Sequence, residues 1–184
     1  MKTLLILGLA FANVFTFGSF GPKAKEKNKP ITIEQVARTL ELSLESPKRR
    51  YRRNDQFKLL VILANTGERD VYVFGTLDWG HSSSLMFHVQ DSSGKEIEPL
   101  LSPDSQTYAS AADTSAFIKL GPDHFIGTTY YAPMKSMNLT RPGKYAVFVE
   151  YNSPFSANEV KLTPFWGKEY GKLKSNIVWI EVVR

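Results

Sequence analysis

Apolar and polar residues alternate along most of this chain with a period of two, the spacing of a strand buried on one face. Leu40, Leu42 and Leu44 are separated by Glu41 and Ser43. Over 56–65, Phe57, Leu59, Val61 and Leu63 share one face, and a second apolar set lies opposite. Asn65-Thr66-Gly67 turns the chain into Val71-Tyr72-Val73-Phe74. Leu85, Phe87 and Val89 form a further strand, which Asp91-Ser92-Ser93-Gly94 turns back toward Ile97, with Gly94 expected at positive φ. Strands over 116–120 and 125–131 flank the turn at Gly121-Pro122, and a polar stretch over 102–115 reads as a long loop. Arg141-Pro142-Gly143 launches Tyr145, Val147, Val149 and Tyr151 on one face. The chain closes with Val178, Ile180 and Val182 alternating with Trp179 and Glu181. No segment keeps a 3.6-residue period over three turns, so the pattern predicts an all-β antiparallel sandwich of about seven to eight strands.

Tyr145 begins a late strand just after Pro142-Gly143, the position of a tyrosine corner; a plain cross-strand tyrosine explains it equally well. With the order of strands over 39–184, the layout resembles secreted immunoglobulin-like β-sandwich modules. The Asn-Thr-Gly turn and the Leu-Gly-Pro then Pro-Gly-x-Tyr order are also similar to non-catalytic sandwich modules that accompany bacterial and fungal secreted peptidases. The chain departs from true immunoglobulin domains in having no cysteine, and Trp79 follows Asp78 beside a turn instead of lying mid-strand. The resemblance implies an immunoglobulin-like sandwich without a disulfide. A fold of this kind does not name an activity.

The N-terminus changes the picture of where such a domain works. Lys2 precedes the apolar run from Leu4 to Ala12, and Ala10-Phe11-Ala12 supplies a small-x-small cleavage pattern, with a weaker second one from Gly18 to Gly21. Residues 1–21 therefore read as a signal peptide, with an uncleaved anchor as the alternative. Residues 22–38 read as a polar, lysine-rich linker and a first turn, and 39–184 as the sandwich domain. About 150 residues remain for that domain, enough for one core. The expected location is secreted or periplasmic, with no transmembrane span once the leader is removed. Asn138-Leu139-Thr140 is a glycosylation sequon, meaningful only in a eukaryotic secretory pathway.

Composition adds a localised charge. The chain is 42% hydrophobic and 12% aromatic, too apolar for disorder, and its formal net charge is +5. Lys48, Arg49, Arg50, Arg52 and Arg53 carry a charge equal to that whole excess, so the protein has a basic patch and is otherwise balanced. The patch is too short, in an exported chain, for nucleic acid. Motifs for catalysis are missing: there is no His-Glu-x-x-His, no Gly-x-Ser-x-Gly and no cysteine ligand set. Of the histidines, His88 is expected on the solvent face of its strand, His81 in a Gly-Ser-rich loop and His124 in an Asp-His turn. No enzyme activity, cofactor or metal is expected.

Two features exceed what a fold alone requires. The run 48–53, expected in a loop, offers Arg49, Arg50, Arg52 and Arg53 to sulfate, phosphate or carboxylate groups, with Tyr51 able to stack; a solvated loop guarding an edge strand is the alternative. The segment 152–176 is long and aromatic, with Phe165, Trp166 and Tyr170 as candidate anchors that either face a partner or cap the open end of the sandwich. The sequence thus predicts a non-catalytic binding module for a protein or an anionic envelope or extracellular polymer. The alternatives are carbohydrate binding through Trp79, Trp166 and Tyr170, protease inhibition through Lys161, Lys168 or Lys172, or a subunit that adds its edge strand to another sheet.

Overall fold

The computed structural model describes residues 39–80, 83–100 and 110–184. The expected leader and linker, His81, and most of the loop over 102–115 lie outside the described residues. Ten strands follow in order: β1 (Leu40–Glu45), β2 (Arg50–Arg52), β3 (Gln56–Asn65), β4 (Val71–Phe74), β5 (Leu85–Asp91), β6 (Phe117–Leu120), β7 (Phe125–Pro133), β8 (Gly143–Tyr151), β9 (Leu173–Lys174) and β10 (Val178–Val183). Eight of these are the strands that alternation predicts. The two it misses, β2 and β9, are three and two residues long, too short to display a period.

The protein is all-β and immunoglobulin-like. One sheet has the order β1-β3-β7, and the other β2-β10-β8-β5 with β9 paired to β8. Pairing within both is antiparallel except that β2 runs parallel to β10. The chain therefore leaves the first sheet after β1 and contributes β2 to the second, beside the final strand. This corrects the expected loop: Arg50-Tyr51-Arg52 is a strand, with Tyr51 buried and both arginines exposed. Tyr51 is a core residue and not a stacking platform. Its ring meets Phe57 edge-on at 5.1 Å, and its hydroxyl lies 2.6 Å from Ser46 Oγ.

Between the sheets lie the alternating residues picked out by the sequence: Leu40, Leu42 and Leu44 from β1, Phe57 to Leu63 from β3, and Val178, Ile180 and Val182 from β10. Because side chains alternate strictly along a strand, this inward set fixes the outward one. Asn65 closes the β3–β7 ladder. It is fully buried, and its Nδ2 donates to the carbonyls of Arg69 and Leu120 at 2.8 and 2.9 Å while Oδ1 accepts from Gly67 N at 3.0 Å. Past it the chain continues as the small β4–β6 sheet. Tyr145 makes a tyrosine corner, donating from its hydroxyl to the Arg141 carbonyl at 2.7 Å. The Asp91 turn forms as expected, with Gly94 at φ 82, a conformation glycine adopts without steric cost.

The segment 152–176 is ordered against this frame. It holds a short helix α1 (Ala157–Val160), a 3-10 turn at Lys168–Tyr170, and β9. Between the two turns, residues 164–166 run parallel to β4: Tyr72 N donates to Pro164 O, and Trp166 N donates to Tyr72 O, each at 2.8 Å. That register drives Phe165 into a second core cluster with Phe74, Phe117 and Val160, and Trp166 into the main core.

Candidate functional site

Alternation that sends Val178, Ile180 and Val182 inward leaves Trp179 and Glu181 on the outer face of the second sheet. Trp179 is 51% exposed, whereas Trp79 and Trp166 are 6% and 2% exposed. Its register partner on β8 is Ala146, whose side chain is too small to cover an indole. Two positions on, Glu181 stands opposite Lys144 of β8 and Arg50 of β2. These strands therefore bring three exposed cations, Arg49, Arg50 and Lys144, around one exposed tryptophan. Together with Ile180 and Glu181 they line a groove of about 540 Å³.

The basic side of the groove is held by backbone as well as by charge. Glu181 N donates to Arg49 O at 2.7 Å, which pins the start of β2 to β10. Arg49 Nη1 reaches the Trp179 carbonyl at 3.4 Å. Arg50 Nε meets Glu181 Oε2 at 3.0 Å, leaving the rest of its fork directed at solvent. Lys144 makes no ion pair among the described residues. Three cations against one carboxylate give the groove a positive field, which draws anions and is screened by salt. Arg52 and Arg53 are exposed on the same run but do not line the groove.

The aromatic loop is placed differently from its expected role as a set of anchors. Phe165 and Trp166 are each 2% exposed, so neither presents a surface to a partner. Trp166 packs between Tyr151 at 5.5 Å and Tyr170 at 5.8 Å, and Phe165 meets Phe117 edge-on at 5.5 Å. Tyr170 stays half-buried behind Trp166. Trp79 is also in the core, edge-on to Phe87 at 5.3 Å. The physical cause is the pairing of 164–166 with β4, which gives alternate residues of that segment opposite interior faces to fill. Trp79, Trp166 and Tyr170 do not share an exposed face. Of the lysines considered for a protease pocket, Lys168 pairs with Glu159 at 3.0 Å and Lys172 with Glu150 at 2.9 Å, while Lys161 is the exposed, left-handed C-cap of α1 at φ 59.

His88 lies on the outer face as expected, but it is not simply solvated. Its ring stacks on Phe148 at 4.7 Å, Nδ1 lies 2.7 Å from Glu96 Oε1, and Nε2 is 3.3 Å from Glu150 Oε2 without hydrogen-bond geometry. Partial burial works against the charge on Glu150, yet its hydrogen bond to Lys172 and the nearby His88 hold its carboxyl below the usual range. Lys174 sits 3.8 Å above the Phe148 ring. A second depression of about 530 Å³ beside the tyrosine corner has Asp91, Glu96 and Glu98 facing Lys95 and Arg141, so its charges are mixed. Among the described residues no group of three or more His, Asp or Glu is placed to hold a metal ion.

The sequence singled out half of the groove. Arg49 and Arg50 stand out in the sequence as part of a basic run, whereas Trp179 shows there only as the outward residue of an alternating strand and nothing in the sequence marks Lys144. The available signal was a large aromatic at an outward position of an otherwise alternating strand.

No family model matches the chain, and no curated protein matches it. Among solved structures it is similar to the CARDB domain of the PF1109 protein from Pyrococcus furiosus, crystallised in complex with di-metal ions: 14% identity, 78% of this chain and 92% of that one, TM-score 0.37. It is also similar to the β-glucosidase EmGH1 from Erythrobacter marinus, at 13% identity and a TM-score of 0.38 over 78% of this chain, which spans only 15% of the enzyme's length. A β-glucosidase from Listeria innocua in complex with glucose gives 13% identity and a TM-score of 0.35, over 79% of this chain and 16% of that one. The fold assignment rests on the strand order given above.

Proposed function

We propose that this chain is an exported, non-catalytic binding module that engages an anionic partner of the cell envelope or extracellular space through the outer face of β2, β10 and β8. The observation that carries this reading is the convergence of Arg49, Arg50 and Lys144 around the exposed Trp179 in one groove. Exposed guanidinium groups in a fork geometry suit carboxylate, sulfate and phosphate, and a large exposed aromatic beside them is a contact anchor. The segment 152–176, with its aromatics in the core, serves to close the end of the sandwich.

The test is retention of the intact chain on a matrix carrying sulfate groups, measured across a salt gradient. A triple variant, Arg49→Ala/Arg50→Ala/Lys144→Ala, should elute at clearly lower salt while keeping the same unfolding midpoint, since all three side chains are exposed. Equal retention of the two proteins would sink the assignment of the groove.

A further inference from the structure

We infer that the groove takes an acidic sugar: a pyranose ring stacked on Trp179, with its carboxylate or sulfate held by Arg50 and Lys144 in place of Glu181. This deepens the anionic-partner reading above and rests on it. Three features of the groove carry it beyond charge alone.

The first is the indole. A free phosphate is satisfied by cations alone and gains little from a flat aromatic, whereas a sugar presents a face of C–H groups that packs on a π surface. Trp179 is half exposed, and Ala146 across the ladder leaves it uncovered. The second is spacing. Trp179 and Glu181 point to the same side two residues apart, about 7 Å along the strand. A ring seated on the indole can direct one exocyclic acid group along that line to the position of Glu181, which Arg50 of β2 and Lys144 of β8 flank on either side. The groove offers one aromatic and one anion-binding cluster, the pattern of one ring and one charge per sugar. Single-stranded nucleic acid is held by successive aromatics and a track of cations, which this face does not supply.

The third feature is Glu181 itself. Its carboxylate already sits on Arg50 Nε at 3.0 Å, opposite Lys144 in register, and so occupies the place that a ligand's anion would take. A ligand that takes up the whole guanidinium fork displaces it, which favours a group that also gains the Lys144 ammonium over a lone surface charge. Glu181 is an internal competitor, and neutralising it should strengthen binding.

The experiment titrates the intact chain with polygalacturonate, with polyglutamate of matched charge, with single-stranded DNA and with uncharged dextran by isothermal titration calorimetry, and adds acrylamide quenching of tryptophan emission for the proteins that keep Trp179. With Trp79 and Trp166 buried, the quenchable signal reports Trp179. Polygalacturonate is expected to bind and shield that signal. Trp179→Ala should weaken it at least about tenfold, Arg50→Ala/Lys144→Ala should abolish it, and Glu181→Gln should tighten it about three- to tenfold. Polyglutamate and DNA should bind at least about tenfold more weakly and ignore Trp179→Ala. If they bind as well as polygalacturonate and Trp179→Ala changes nothing, the sugar assignment is overturned while the anion-binding reading stands. Dextran binding as tightly as polygalacturonate overturns the acidic requirement. No binding by any anion overturns both readings. Each variant is first matched to the parent in its urea unfolding midpoint.

Discussion

The side chain of Asn176 hydrogen-bonds the backbone of Leu44 in both directions, its Oδ1 accepting from the N–H at 2.8 Å and its Nδ2 donating to the carbonyl at 3.0 Å. Leu44 lies in β1, at the free edge of the first sheet, and Asn176 lies between β9 and β10 of the second. One amide therefore stands in for a missing strand and ties the two sheets along their open side. The backbone groups of an edge strand must be paired or wet, and at Leu44 they are paired. Asn176→Ala should lower stability by about 1–2 kcal/mol, the sum expected for two partly exposed hydrogen bonds. Urea unfolding would read this, and hydrogen exchange at Leu44 should accelerate. An unchanged midpoint with unchanged exchange would show that the clamp contributes nothing.

The tyrosine corner makes a second expectation. Tyr145→Phe keeps the ring in the core and removes only the hydroxyl that donates to Arg141 O. It should cost about 0.5–1.5 kcal/mol, read as a shift in the denaturant midpoint at constant slope. A plain cross-strand tyrosine would lose almost nothing.

The two tryptophans at 166 and 179 should behave in opposite ways. Trp166→Ala empties a space between Tyr151 and Tyr170 and should destabilise the domain by about 3–5 kcal/mol. Trp179→Ala removes an exposed ring and should change stability by no more than about 0.5 kcal/mol. Denaturant curves on both variants check this directly. A stable Trp166→Ala protein would mean that the 152–176 segment is not part of the core.

Alkaline pH should destabilise the fold. Burial pushes the hydroxyls of Tyr151 and Tyr130 well above the usual tyrosine range, with Asp78 adding to the effect at Tyr130. Tyr151 donates to Phe74 O at 2.9 Å, and Tyr130 donates to the Leu77 carbonyl. Since these groups bind their protons more tightly folded than unfolded, their contribution is complete below the ordinary tyrosine value and is lost as pH rises above it. Urea midpoints should fall through that range, and Tyr151→Phe should flatten the fall.

At acid pH the local event is at α1. Hydrogen bonds from the Ser156 N–H and hydroxyl, and then from Lys168, pull the Glu159 carboxyl down to about 2. Its contribution is present above the ordinary glutamate range and lost as pH falls toward about 2. Hydrogen exchange over 156–161 should therefore quicken on acidification, and Glu159→Gln should abolish that pH dependence. A variant with the same acid response would place its origin elsewhere.

Much of the fold was legible because a strand's period is a local property. Leu40, Leu42 and Leu44, the face of β3 and the face of β8 declare themselves through their spacing, and Asp91 to Gly94 declares its turn through residues that tolerate it. The basic run declared its exposure, because arginines at 49, 50, 52 and 53 have no apolar alternative. β2 escaped notice because one inward tyrosine between two arginines is too short a pattern to count.

The sequence by itself determined which face of each strand turns inward, and hence that Trp179 and the arginines point to water. Only the tertiary structure decided their neighbours. Arg49 and Trp179 are separated by 130 positions and meet because β2 pairs in parallel with β10, while Lys144 arrives from β8 on the other side. The same holds for Trp166, which suits a cap or an anchor equally as a residue type and which entered the core when 164–166 paired with β4. Alternation is set by the geometry of one strand, whereas adjacency is set by long-range pairing that buries the most apolar surface with every backbone group satisfied.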